Sequence, residues 1–170
     1  MTDGVYTATA KGKFFGDGIT CQCALGRGGI VGALQKREGD GASPLGTWRM
    51  KRVFYRPDRL QRPQTALPIV PLAKQDGWCD APDHPLYNRP VRLPFAASHE
   101  RLWRDDHAYD LVVELAYNDG PILADRGSAI FFHLAHDDYR TTQGCVAIAK
   151  EHMLRVLERV SDASAIEIRY

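Results

Sequence analysis

Ser128-Ala129-Ile130-Phe131-Phe132-His133-Leu134, followed after a short polar loop by Thr142-Gln143-Gly144-Cys145-Val146-Ala147-Ile148, carries most of what this chain says about itself. The first run is apolar at nearly every position, the pattern of a strand buried on both faces. His133 closes that run, where a rigid strand hands over to a loop. Cys145 lies twelve positions further on, directly after a glycine. A thiol is a strong nucleophile only as its thiolate, and a nearby imidazole can take the proton and return it later. Gly144 has no Cβ, so backbone there can approach a substrate carbonyl closely. The N–H groups around Gly144 and Cys145 are then placed to face a developing oxyanion. These residues point to cysteine-dependent acyl transfer, with Cys145 as nucleophile, His133 as general base and acid, and Gly144 as the residue that opens the approach.

Outward from this pair the chain reads as strand after strand. Ile19, Cys21, Cys23 and Leu25 alternate with Thr20, Gln22 and Ala24 until Gly26-Arg27-Gly28-Gly29 ends the run. Thr47 to Tyr55 is a second strand candidate and Asp110 to Asn118 a third, closed by Asn118-Asp119-Gly120. Ile166, Ile168 and Tyr170 alternate again. Met153, Val156, Leu157 and Val160 fall at helical spacing, which predicts an amphipathic helix over Lys150 to Val160. Residues Arg56 to Arg92 are rich in proline and short of periodic runs, and read as a long irregular insertion that either shapes a groove or merely packs on the surface. Short, numerous strands with one helix predict a mainly β fold. Nothing asks for a second unit, so residues 1–170 read as one catalytic domain.

Composition narrows the function. Hydrophobic residues make up 44% and charged residues 25%, ordinary proportions for a soluble globular chain. A net charge of +1, without a basic cluster interleaved with aromatics, gives no case for nucleic acid. No stretch has the length and apolarity of a membrane span. The opening residues Met1 to Ala10 lack the basic start and apolar run of a secretory signal. The expectation is a cytoplasmic protein, or a periplasmic one if a native signal segment has been removed.

Cys21, Cys23 and Cys79 have no spacing partners that complete a zinc site and read as packed thiols. His136, three positions after His133, is not at the helical spacing of a two-histidine zinc motif. The reading is therefore no metal and no cofactor. His84, His99, His107 and His152 lack local context and read as surface residues. Arg126 and Arg140 flank the active segment, and a guanidinium fork suits a substrate carboxylate. Thr142 and Gln143, just before the nucleophile, join them as candidate substrate-binding residues.

The order His133, short gap, Thr142-Gln143-Gly144-Cys145-Val146 resembles the signature of the L,D-transpeptidase catalytic-domain family of bacterial cell-wall enzymes. Upstream, Ser43-Pro44-Leu45-Gly46-Thr47-Trp48 resembles that family's Thr-Pro-x-Gly-x-aromatic turn. The order and separation of the two motifs fit as well, so the resemblance covers roughly residues 20–160. The sequence departs from the pattern at Gln143, where histidine is usual, at Ala147, where arginine is usual, and in a shortened His133–Cys145 segment. The resemblance implies a β-sandwich-like or barrel-like domain with few helices, and an orienting backbone carbonyl near the histidine. It implies a bond attacked between the L-centre of a diamino acid and the following D-alanine of a peptidoglycan stem peptide. Water as acceptor gives an L,D-carboxypeptidase acting on muropeptides in recycling. A second stem peptide or a D-amino acid gives a transpeptidase, and an idle site gives a muropeptide-binding domain.

Overall fold

A single strand, β5 (Ser43–Tyr55), runs for 13 residues and organises the computed structural model, which describes residues 4–170. Trp48, Val53, Phe54 and Tyr55 are strong strand formers, and so long an element can pair with different partners along its length. Its first half lies antiparallel to β13 (Ala165–Arg169), with Trp48 opposite Ile166. Its second half lies antiparallel to β10 (Leu111–Leu115), with Val53 opposite Val113. Two short strands, β4 (Ile30–Gly32) and β6 (Ile69–Pro71), run parallel to its two ends.

From β13 the sheet continues through β1 (Val5–Thr9), β2 (Lys13–Gly16) and β3 (Ile19–Gln22). From β10 it continues through β11 (Phe131–Leu134) to β12 (Val146–Ile148). The two ends then meet. Ala24, just past β3, exchanges two backbone hydrogen bonds with Ala147 of β12, at 2.8 and 2.9 Å. The sheet is thus mainly β and nearly closed into a barrel, which removes most of its free edge.

Inside, Tyr6, Phe14 and Phe132 stack in sequence with centroids 5.6 and 5.3 Å apart. The helix α1 (Lys150–Leu157) buries Met153, Val156 and Leu157 in the same core. It ends three residues before the predicted limit. Ser164 Oγ accepts the Ser161 N–H at 2.9 Å in the turn that follows, and Val160 is buried beyond the helix end.

The sequence expectation fails most clearly between Arg56 and Arg92. This segment is not an irregular coil. It contains β6, β7 (Asp76–Cys79) and β8 (Pro90–Arg92), and β7 pairs antiparallel with both β8 and β9 (His99–Arg101) to make a second, three-stranded sheet. Strands of three or four residues are too short to display alternation, and Pro90 is tolerated because β8 is an edge. Trp78 and Cys79 are buried beneath it, so Cys79 is a packed thiol in a strand. The N-terminal strands β1 and β2 are likewise invisible to periodicity. Tyr6, Thr7 and Ala8 of β1 are all buried, so no alternation shows there.

The Ser43-to-Trp48 motif forms the start of β5 rather than a free turn. Gly46 has φ +138°, and a Cβ there would lie 2.8 Å from the Trp48 ring, so the position requires glycine. Trp48 in turn donates to Pro44 O at 2.9 Å and packs edge-on against Tyr117.

Phe132 is fully buried at one end of the aromatic stack, against Phe14. Phe132→Ala is expected to cost about 3–5 kcal/mol, measured as a lowered urea midpoint with an unchanged slope.

Candidate active site

The parallel pairing of β11 and β12 sets the site. Phe132 stands opposite Val146 and His133 opposite Ala147. Side chains alternate along a strand, so Phe132 and Leu134 enter the main core while Phe131 and His133 face the other way. Cys145, one residue before Val146, falls level with Phe131 and on the same face. There it joins a second apolar cluster with Phe54, Trp78, Tyr109, Ala129 and Phe131, between the barrel and the small sheet.

Both Cys145 and His133 line one cavity of about 530 Å³. The thiol accepts the Phe131 N–H at 3.3 Å and donates to Ala129 O at 3.2 Å. His133 Nδ1 lies 2.9 Å from Leu134 O. That carbonyl accepts the Nδ1 proton and leaves Nε2 with a free lone pair, the tautomer a general base needs. The ring is wedged edge-on against Tyr109 at 5.1 Å.

Burial dominates the electrostatics. The His133 pKa is pushed down to about 4 by loss of hydration, against the opposing pull of the Leu134 carbonyl. The Cys145 thiol is pushed up to about 12, first by burial and then by the charge of Glu100. At neutral pH the resting pair is therefore a thiol and a neutral imidazole, not a preformed thiolate.

The loop before the nucleophile is braced internally. Gly144 has φ +130°, and a Cβ there would meet Ala42 O at 2.7 Å, so glycine is required by backbone contact. Thr142 Oγ1 accepts the Gly144 N–H at 3.1 Å and donates to Cys145 O at 2.7 Å. Two expectations change here. The Gly144 N–H is already occupied, so of the two amides only that of Cys145 remains for an oxyanion. The Thr142 hydroxyl is spent within the loop although its residue lines the cavity.

The other predicted residues divide. Gln143 and Arg140 line the cavity, and both are accessible from it. One terminal nitrogen of Arg140 lies 3.1 Å from both ring nitrogens of His136, which also lines the cavity. Arg126 does not line it. Its guanidinium is bound to Leu34 O, away from Cys145.

Sequence reasoning misses much of the wall, including Glu38, Asp80, Glu100, Arg104 and Tyr109. His99, read as a surface residue, lines the cavity as well. These residues come from segments far apart in the chain, and no local pattern marks them. Tyr109 donates its hydroxyl to Glu100, whose carboxyl burial pushes above the usual range. Arg104 is held by Asp106 through two nitrogens, at 2.9 and 2.5 Å.

Asn88 carries no sequence signal either. It accepts from Trp78 Nε1 at 2.9 Å and from the Ala129 N–H at 3.0 Å, and donates to the carbonyls of Tyr117 and Asn118. It thereby fixes Ala129 at φ +52°, with its carbonyl on the Cys145 thiol.

The depressed His133 pKa has a stability consequence. Below pH 6.5 the unfolded chain takes up a proton that the folded chain refuses until about pH 4. Stability contributed by this group is complete above pH 6.5 and falls as pH drops through that window. His133→Gln is expected to flatten that part of the curve, measured by urea midpoints between pH 4 and 7.

Cys21 and Cys23 are free, and burial raises both thiols, to about 11 and about 12. Among the described residues no helix is long and apolar enough to cross a membrane.

No match to the chain was found among curated proteins or among solved structures. The L,D-transpeptidase catalytic domain family, YkuD, matches residues 3–168, nearly the whole length. The match spans both the barrel and the small sheet, and includes the Ser43–Trp48 and Thr142–Ile148 segments. With a cysteine and a histidine on one face of a barrel-like sheet, the chain belongs to the YkuD family of L,D-transpeptidase catalytic domains, enzymes of peptidoglycan.

Proposed function

We propose that the protein is a cysteine L,D-carboxypeptidase that removes the terminal D-alanine from peptidoglycan tetrapeptides. One observation carries the reading: Cys145 and His133 share a face and a cavity, with Leu134 O holding the imidazole in the base tautomer. Cys145 Sγ attacks the carbonyl carbon at the L-centre of the diamino acid as its proton passes to His133 Nε2. The S–C bond forms and the carbonyl electrons move to oxygen, facing the Cys145 N–H. Collapse breaks the C–N bond, and His133 returns the proton to the departing D-alanine amine. Water, with its proton taken by His133, then resolves the thioester. Arg140, exposed at the cavity with one terminal nitrogen against His136, supplies the guanidinium for the terminal carboxylate of the stem peptide.

Hydrolysis is favoured over transfer by the surroundings of the nucleophile. Cys145 is only 5% exposed and is reached through the cavity. A stem peptide that fills this space leaves room for water more readily than for a second peptide. Gln143 replaces the family's usual residue on the cavity wall beside the thiol, where an acceptor amine would approach. Soluble muropeptides are the donors suited to such a site, and their recycling in the cytoplasm is the setting proposed.

Cys145→Ala is expected to abolish D-alanine release, with the fold retained by circular dichroism. His133→Gln is expected to lower turnover by about 10² or more, the usual scale of a positioned base. Turnover by the alanine variant would overturn the assignment. Mass spectrometry of a disaccharide tetrapeptide at high concentration, with and without a D-amino acid, reads the acceptor. Tripeptide is the expected product, whereas dominant cross-linked dimer or exchanged peptide would make the protein a transpeptidase.

A further inference from the structure

Ser43 is fully buried, 101 residues away from Gly144 in sequence, and every polar group it has near the site is used. Its hydroxyl donates to Gly144 O at 2.8 Å and accepts the Gly26 N–H at 2.9 Å. Its own N–H donates to Gly29 O at 2.9 Å. The Gly144 carbonyl belongs to the peptide bond that joins Gly144 to Cys145. In a trans peptide the C=O and N–H point in opposite directions within one plane. Anchoring that carbonyl on the buried Ser43 therefore turns the Cys145 N–H to the side of the peptide opposite Ser43. Without the anchor little would hold this plane, since Gly144 sits at φ +130° with no Cβ to restrict rotation. Thr142 holds only the flanking groups, the Gly144 N–H and the Cys145 carbonyl.

We infer that Ser43 is a positioning residue that aims the Cys145 N–H at the oxyanion formed during acyl transfer. The inference rests on the acyl-transfer reading of Cys145 but not on the identity of the peptide attacked. The serine of the upstream motif thereby acquires a chemical role, because it joins the start of β5 to the nucleophile loop across the seam occupied by Leu25 to Gly29. Thr142 O and N bond to Arg27 and Leu25 in that same seam, at 2.9 Å each.

Two reactions of the same thiol separate this role from simple structural support. Acylation by p-nitrophenyl acetate forms an S–C bond at a carbonyl, passes through an oxyanion and expels p-nitrophenolate. Alkylation by iodoacetamide displaces iodide at a saturated carbon and forms no oxyanion. Ser43→Ala is expected to slow acylation by about tenfold or more, part of the 10²–10³ lost when an oxyanion donor is removed, while alkylation keeps its wild-type rate. Ser43→Thr, which keeps the hydroxyl, is expected to retain the wild-type ratio of the two rates. Ser43→Cys, with its weak S–H donor, is expected to fall between Thr and Ala. The Thr and Cys variants carry the comparison if the alanine variant does not fold. Equal loss of both reactions would make Ser43 structural, and no change in either would remove it from the site. Neither reagent needs stem-peptide recognition, so failure of the carboxypeptidase reading, seen as no D-alanine release, leaves this ratio readable.

Discussion

The register of one parallel strand pair holds the functional arrangement together. Because Phe132 lies opposite Val146, Cys145 and His133 emerge on the same face, toward the small sheet and the cavity. A slip of one residue would send the histidine into the main core beside Phe14 and leave the thiol without its base. Both sides resist such a slip. Phe132 and Leu134 fill the barrel interior, while Phe131 packs edge-on against Trp78 and Tyr109. The closing contact between Ala24 and Ala147 pins the outer edge of the same pair.

Burial gives this site its chemical character. A thiol pushed up to about 12 beside an imidazole pushed down to about 4 keeps its proton at rest, donated to Ala129 O. In the proposed mechanism, proton transfer belongs to the attack itself, when the substrate carbonyl oxygen takes up the charge and the Cys145 N–H stabilises it. The small sheet and the loops beside it have a part in this. Asn88 fixes the Ala129 carbonyl, Tyr109 supports the imidazole, and Glu100 adds the negative charge that further disfavours a resting thiolate. The segment between Arg56 and Arg101 is thus a wall of the site rather than decoration on the barrel.

The two sequence motifs converge because one makes the other rigid. The Gly144 loop contains its own brace in Thr142, but the peptide that carries the Cys145 N–H is held from outside by Ser43. A glycine at Gly144 permits the close approach to Ala42 and at the same time gives up conformational restraint. The buried hydroxyl restores it.

The amino-acid sequence by itself determined the nucleophile candidate, its histidine, the mainly β character and the family. Each rests on residues close together: Gly144 beside Cys145, His133 at the end of an apolar run, Gly46 before Trp48. Local sterics and strand periodicity are written at that range. The tertiary structure decided what depends on distant segments meeting. It withdrew Arg126 from the site, brought in Glu100, Arg104 and Tyr109, occupied the Gly144 N–H, and made three-residue strands out of a proline-rich stretch. The physical reason is that desolvation, hydrogen-bond satisfaction and cavity lining belong to the set of neighbours in space. A three-residue strand exists only when a partner is there to accept its hydrogen bonds.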